Sequence, residues 1–423
     1  MTDPTTDARL RSWVESADGS DFPIQNLPYG VFRRPGDGPR VGVAIGDQVL
    51  DLAGVAEAGL LTDVLVDRSV LFSDTLNPFI ACGRETWRAS RARLSNLLEL
   101  SNDEIKGKPA LAERLLVPVT QVELLVPIQP GDYVDFYSSI QHATNLGKLF
   151  RPDGEPLLPN WRHLPVGYHG RASSVVVSGT PIGRPSGQLK APDQPLRWGP
   201  TERLDIELEV GFVTGDANHL GEALPIDSAE EHIFGVVLVN DWSARDIQAW
   251  EYQPLGPFLG KSFATSIAPW VVSLDALEPF RVPAPTQEPA VLPYLLEGQR
   301  RGIDLHLEFA LATEVMPKAQ VVSRVNFSEM YWTMAQQLAH ITSNGTPVRA
   351  GDLYASGTVS GSEPDSYGSL IELTSNGAQP LTLGSGEERR FLENGDTAIL
   401  RAFAEREGRP RIGFGEVRGT IRA

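Results

Sequence analysis

The sequence predicts a mainly β chain of the α+β class, and three observations carry that reading. The 40 glycines and 33 prolines are spread along all 423 residues with no repeat or low-complexity tract, which implies many short elements joined by turns. Period-two alternation of apolar and polar residues recurs along the chain, as half-buried strands require. Helical spacing is confined to a few stretches.

Taken in order, residues 22–52 alternate Val41, Val43 and Ile45 with small or polar residues and carry Gly/Pro turns at Pro35 to Pro39, the pattern of a small antiparallel β unit. A helix is predicted over about 77–100: Asn77-Pro78 supplies cap and first turn, and Trp87, Leu94, Leu97 and Leu98 share a face. Pro118, Pro127 and Pro130 punctuate the next segment and set a boundary, giving domains at 1–122 and 123–423. Beyond it, strands are predicted at 174–177, 204–213, 235–240, 270–274, 303–311 and 371–373. Helices are predicted from Asp135, after Ser243, and over 328–342, where Met330, Met334, Leu338 and Ile341 keep helical spacing and Gly345 is placed to end the run.

Composition narrows the function. Apolar residues make up 41% and charged residues 22%, ordinary for a folded globular chain, so wholesale disorder is excluded. The net charge of -17, with no Lys/Arg-rich run, argues against nucleic acid. The single cysteine, Cys82, excludes an internal disulfide and any multi-cysteine metal site. The longest apolar runs, such as 233–239, are too short to span a bilayer, and Met1-Thr2-Asp3-Pro4 lacks the basic and apolar segments of a secretory signal. A cytoplasmic protein without membrane association is expected.

Several carboxylates are candidates for holding a cation. In 204–210, Leu204, Ile206, Leu208 and Val210 share one face and Asp205, Glu207 and Glu209 the other; neighbouring same-face carboxylates lie about 7 Å apart, close enough for one cation to draw both in. Any half-buried strand shows such alternation, so a solvated acidic face is the bland alternative. The apolar run 235–239 ends in Asn240-Asp241, which either points a carboxylate into a site or makes a turn. Asp135 has the residue type of a helix N-cap that can also turn an oxygen toward a cation. Four carboxylates without thiolate ligands suit calcium or magnesium.

His142 follows Asp135 by seven residues, two turns along the same face of the predicted helix, where it could act as a base or merely pack. Glu372, between Ile371 and Leu373, is either its orienting carboxylate or an outward strand residue. Arg245, Gln248 and Tyr252 fall at i, i+3 and i+7, one face of a helix that offers a carboxylate fork and an oxyanion donor. Lys261 sits among apolar residues after a Gly/Pro-rich bend, and a buried lysine needs a charged partner or an anion. Gly256 and Gly260 enclose three residues where a phosphate loop needs four, and no Gly-x-Ser-x-Gly elbow occurs, so nucleotide binding and the commonest serine hydrolase signature are rejected.

Longer strings carry a specific resemblance. Residues 20–32, Asp135-Phe136-Tyr137-Ser138-Ser139, Gln141 to Asn145, Leu158 to Trp161, Tyr168 to Ser174, Asn240 to Asp246, Gly256 to Phe263 and Ala355-Ser356-Gly357-Thr358 are similar to the fumarylacetoacetate hydrolase family over nearly the whole chain. The resemblance implies a small N-terminal SH3-like barrel, a large C-terminal mixed β-sandwich roll, and a homodimer. It implies metal-dependent hydrolysis of 4-fumarylacetoacetate to fumarate and acetoacetate, the last step of tyrosine and phenylalanine breakdown. By the same likeness, Asp135, Glu207, Glu209 and Asp241 match calcium ligands, while Lys261 and Thr265 stand beside a second, magnesium-type ion. His142 with Glu372 matches the water-activating pair, and Arg245, Gln248 and Lys261 match oxyanion and leaving-group donors. Tyr137, Arg151, Tyr168, Tyr252 and Thr358 match substrate contacts, together with Arg245 and Gln248. The chain departs from the pattern at Ala264, where glycine is expected, at Ser266, in place of threonine, and at His340-Ile341, in place of paired histidines. Two alternatives stay open: an acylpyruvate hydrolase, decarboxylase or isomerase of the same fold, and a non-catalytic calcium-binding β protein.

Overall fold

The computed structural model describes residues 3–151, 153–216 and 218–423; Met1 and Thr2 of the polar N-terminus lie outside the described residues. An antiparallel five-stranded sheet comes first, ordered Leu116–Pro118, Gln48–Asp51, Arg40–Ile45, Tyr29–Arg33, Glu123–Leu124. Its last strand comes from just beyond residue 122, where the sequence set the boundary. The helix expected over 77–100 is present in two pieces, Asn77–Ile80 and Gly83–Leu98, broken where Gly83 takes φ +83°.

Two sheets form the larger unit. One is mixed and eight-stranded: Gly167–His169, Tyr133–Phe136, Leu353–Ala355, Leu208–Thr214, Ile233–Asp241, Thr265–Ile267 and Val175–Val177 lie in that order, with Val272–Ser273 added to Ile233–Asp241. The other has five strands: Gln320–Asn326, His306–Ala312, Thr397–Ala404, Ile412–Arg422 and Ile182–Gly183. They pack through one apolar core, and the fold is mixed α+β, mostly sheet, with curled sheets. Trp242, fully buried, anchors this core and donates from Nε1 to Ser266 Oγ at 2.9 Å; Trp242→Ala would cost about 3–5 kcal/mol.

Four local expectations need correction. Asp135 does not cap a helix: it lies in the strand Tyr133–Phe136, whose apolar residues are paired on both sides, and Ser139 caps the helix Ile140–Phe150 by accepting from the His142 N–H at 3.2 Å. Glu372 is not in a strand, because the Asp205 carboxylate caps the N–H groups of Leu370 and Ile371 at 2.7 and 3.0 Å and folds Leu370–Leu373 into one helical turn. The strand expected over 204–213 breaks after Asp205, and both of its faces are buried. The helix expected from Ser328 begins at Met334, where Thr333 and Gln336 form a capping box.

Candidate active site

Topology brings the carboxylates together. Leu353–Ala355 runs parallel to Tyr133–Phe136 and antiparallel to Leu208–Thr214, which is itself antiparallel to Ile233–Asp241. The ends of Tyr133–Phe136 and Ile233–Asp241 therefore meet the start of Leu208–Thr214 at one end of the sheet. Oxygens of Asp135, Glu207, Glu209 and Asp241, all buried, lie within 4.8 Å of one another. Asp205 is turned away and belongs to Arg245, whose Nε donates to it at 2.8 Å.

Lysine and arginine offset part of this charge. Lys261 Nζ donates to Glu207 at 2.7 Å and Asp241 at 2.8 Å, and Arg245 Nη1 donates to Glu207 at 2.7 Å. Burial opposes ionisation of Glu207, but the Lys261 and Arg245 charges outweigh it and hold the carboxyl below its ordinary range. Burial likewise opposes the Lys261 charge, and Asp241 and Glu207 reverse that effect. Glu209 and Asp135 stand otherwise: burial first, then the neighbouring carboxylates, pushes both well above the ordinary range. Glu209 Oε1 and Asp135 Oδ1 are buried without a hydrogen-bond partner. Five buried carboxylates, Asp205 included, face two buried cations, and two of the four convergent carboxylates each keep an oxygen without a partner. Such a donor set fits a divalent, oxygen-preferring cation.

Beside the cluster opens a cavity of about 450 Å³, lined by Asp135, Glu207, Lys261, His142, Gln248 and Thr358 among others. His142 Nδ1 lies 2.7 Å from Glu372 Oε2, which leaves Nε2 as the nitrogen available to the cavity. Glu372 also accepts from Asn145 at 2.9 Å, Ser360 at 2.9 Å and Ser369 at 2.6 Å. Burial raises its pKa, but the His142 charge and these donors outweigh it and hold Glu372 below the ordinary carboxylate value.

Arg245 touches Gln248 at 3.2 Å, and a guanidinium only donates. Gln248 must therefore give its Oε1 to Arg245, which leaves its NH₂ for the cavity it lines. Arg245 does not line that cavity. Tyr137, Arg151, Tyr168 and Tyr252 do, and Tyr168 also donates to Asp241 at 2.9 Å. Thr358 follows Gly357, whose φ of +77° and approach to the Phe136 carbonyl leave no room for a Cβ; the Thr358 hydroxyl is buried without a partner. Thr265 donates to Asp241 at 3.3 Å, while Ser266 is turned into the core against Trp242.

Sequence reasoning missed Asp205 as the link between Arg245 and the Glu372 turn, and missed Asn145, Ser360 and Ser369 as donors to Glu372. Asn145 had a signal, three residues after His142 on one helix. The serines had none, being brought in by tertiary folding.

Residues 133–422 match the family described as Fumarylacetoacetate (FAA) hydrolase C-terminal, and residues 25–127 match Fumarylacetoacetase N-terminal. The chain is 51% identical over 415 residues to the fumarylacetoacetase of Rattus norvegicus, covering 97% of this chain and 98% of that one. It is 50% identical over 414 residues to that of Homo sapiens, with the same coverage. Among solved structures, a fumarylacetoacetate hydrolase from Exiguobacterium antarcticum shares the fold at TM-score 0.52 and 19% identity, covering 94% of this chain and 99% of that one. A maleylpyruvate hydrolase from Sphingobium does so at TM-score 0.51 and 14% identity, with the same coverage.

Proposed function

Because the chain belongs to the fumarylacetoacetate hydrolase family, we propose that its cavity hydrolyses a carbon–carbon bond of 4-fumarylacetoacetate, releasing fumarate and acetoacetate in tyrosine and phenylalanine breakdown. One observation carries the reading: a carboxylate-held imidazole and a buried lysine line the same cavity as two of the four convergent carboxylates.

Asp135, Glu207, Glu209 and Asp241 would hold calcium or magnesium, which supplies Lewis-acid polarisation to the two oxygens of a 1,3-diketone. A second, magnesium-type ion would stand beside Lys261 and Thr265, whose side chains both meet Asp241, and the Lys261 ammonium, having no lone pair, would not itself be a ligand. His142 Nε2 takes a proton from water while Glu372 holds Nδ1, and the hydroxide adds to the carbonyl carbon next to the fumaryl group. Lys261 and the Gln248 NH₂ donate to the resulting oxyanion. As the carbon–carbon bond breaks, its electron pair leaves with acetoacetate as the enolate, and His142 returns the proton to that carbon. Arg245 acts by fixing Glu207 and Gln248. Arg151, the one arginine among the described residues lining the cavity, pairs with a substrate carboxylate, and Tyr137, Tyr168, Tyr252 and Thr358 complete the contacts. A homodimer, a cytoplasmic location and domains divided near residue 122 belong to the same proposal.

Ultraviolet loss of 4-fumarylacetoacetate tests it. Turnover that a chelator abolishes, with fumarylpyruvate consumed at least tenfold more slowly, is expected. A preference for fumarylpyruvate moves the chain to the acylpyruvate hydrolases, and inertness toward both removes the enzyme reading.

A further inference from the structure

A second cavity, about 30 Å³, lies where the helix Gly83–Leu98 meets the strands Tyr29–Arg33 and Ile233–Asp241, and the reaction makes no use of it. Arg91, 2% exposed, lines it. A guanidinium carries five N–H donors. Three protein acceptors meet this one: Thr5 Oγ1 at 2.9 Å, Asn26 O at 2.6 Å and Gln25 O at 2.5 Å. All three are neutral. Among the described residues no carboxylate comes within 4.0 Å of it. Of the carboxylates around it, Asp275 is matched by Arg88 at 2.8 Å, Glu231 by Arg84 at 2.8 Å and Glu230 by Arg281 at 2.9 Å, while Asp3, which accepts from the Thr5 N–H, supports the guanidinium only from beyond contact distance. Burial of the Arg91 charge is thus offset by no carboxylate in contact with it, and two of its N–H hydrogens lack a protein acceptor.

Tyr29, 1% exposed, lines the same cavity, and its hydroxyl has no partner. Burial pushes the phenol well up, so it stays an O–H donor at any ordinary pH. Two kinds of donor thus face one small space. Water would satisfy the hydroxyl but leave the charge, and the space holds one or two water-sized bodies, too little for a phosphate.

We propose that this cavity binds one monoatomic anion, a halide such as chloride, between the Arg91 guanidinium and the Tyr29 hydroxyl. The anion braces the junction of the two units, since Tyr29 opens the first strand of the N-terminal sheet and exchanges backbone hydrogen bonds with Val271 of the large one.

Crystals grown with bromide in place of chloride give a direct test: an anomalous peak within hydrogen-bond distance of Arg91 and Tyr29 is expected, and density without anomalous signal overturns the proposal. In solution, the unfolding midpoint should rise with chloride and saturate at constant ionic strength against gluconate, as for one site. Tyr29→Phe, which removes one donor and little volume, should raise the chloride needed for half the effect about tenfold. A midpoint indifferent to chloride, or an unchanged response in Tyr29→Phe, overturns it as well.

Discussion

Glu372 and Glu209 are both buried, at 4% and 0% exposure, yet their surroundings are opposite. Four side-chain donors crowd Glu372: Asn145 on one oxygen, and His142, Ser360 and Ser369 on the other. Glu209 receives one backbone N–H, from Gly357 at 3.2 Å, and its other oxygen has no partner. A carboxylate saturated with donors and facing an imidazole stays ionised without a metal cation and can orient that imidazole. One starved of donors among other carboxylates is incomplete until a cation arrives. Burial is common to both, so the donor inventory, not burial, separates these two carboxylates, although Glu207 and Asp241 join the convergent group while holding donors of their own.

The largest effect should come from the saturated side. His142→Ala is expected to lower kcat by about 10²–10⁴-fold while calcium uptake, measured by titration calorimetry, stays at the wild-type level. His142 is not among the four convergent groups, so loss of cation binding together with turnover would mean that the two regions are one and that the comparison fails.

A middle effect is expected on stability, with opposite signs at the two sites. Asp135 and Glu209 have folded pKa values raised above the ordinary 3.8 and 4.5, so the folded chain holds those protons more tightly than the unfolded one. Their contribution is present below about pH 4 and is lost as pH rises. Glu372 is depressed below 4.5, so its contribution is present above that value and is lost as pH falls through its folded pKa. Metal-free protein should therefore lose stability as pH rises above about 4, and a cation at 100 times its Kd should restore about 2.7 kcal/mol. Melting curves with and without calcium should diverge as pH rises. Glu209→Gln should flatten the metal-free dependence; parallel curves in all three samples would show that the cluster carries no excess charge.

Much of this arrangement was legible because strands alternate. Alternation paired Glu207 with Glu209 and the apolar run set Asp241 at its tip, but a solvated face and a turn stayed open, and Glu207 lies in the break between Leu204–Asp205 and Leu208–Thr214 with Asp205 turned away. Asp135 lies beside Glu207, Glu209 and Asp241, but on a strand and not at the helix cap that its residue type suggested. A capping residue type outweighed the apolar Tyr133-Val134, and only pairing with Leu353–Ala355, more than 200 residues away, makes that segment a strand. Glu372 failed for a similar reason: its turn is held by Asp205, a remote cap with no local trace. Arg245 was read as a fork for a substrate carboxylate, whereas Asp205 and Glu207 take its Nε and Nη1 and it does not line the cavity.

The smallest effect sharpens the comparison most. Asn145→Ala removes a single donor and leaves Glu372 Oε1 short, as Glu209 is short, while His142, Ser360 and Ser369 keep the other oxygen. A charged hydrogen bond of this kind is worth about 1.5–3 kcal/mol, but the imidazole keeps its direct partner, so kcat should fall only about tenfold with KM unchanged. The acid limb of the kcat profile should move upward, because a Glu372 with fewer donors protonates more readily. A fall as deep as that of Glu372→Gln would mean that Asn145 alone sets the carboxylate, and that saturation by four donors is incidental. An unmoved acid limb would mean that the donors hold Glu372 in place without holding its charge.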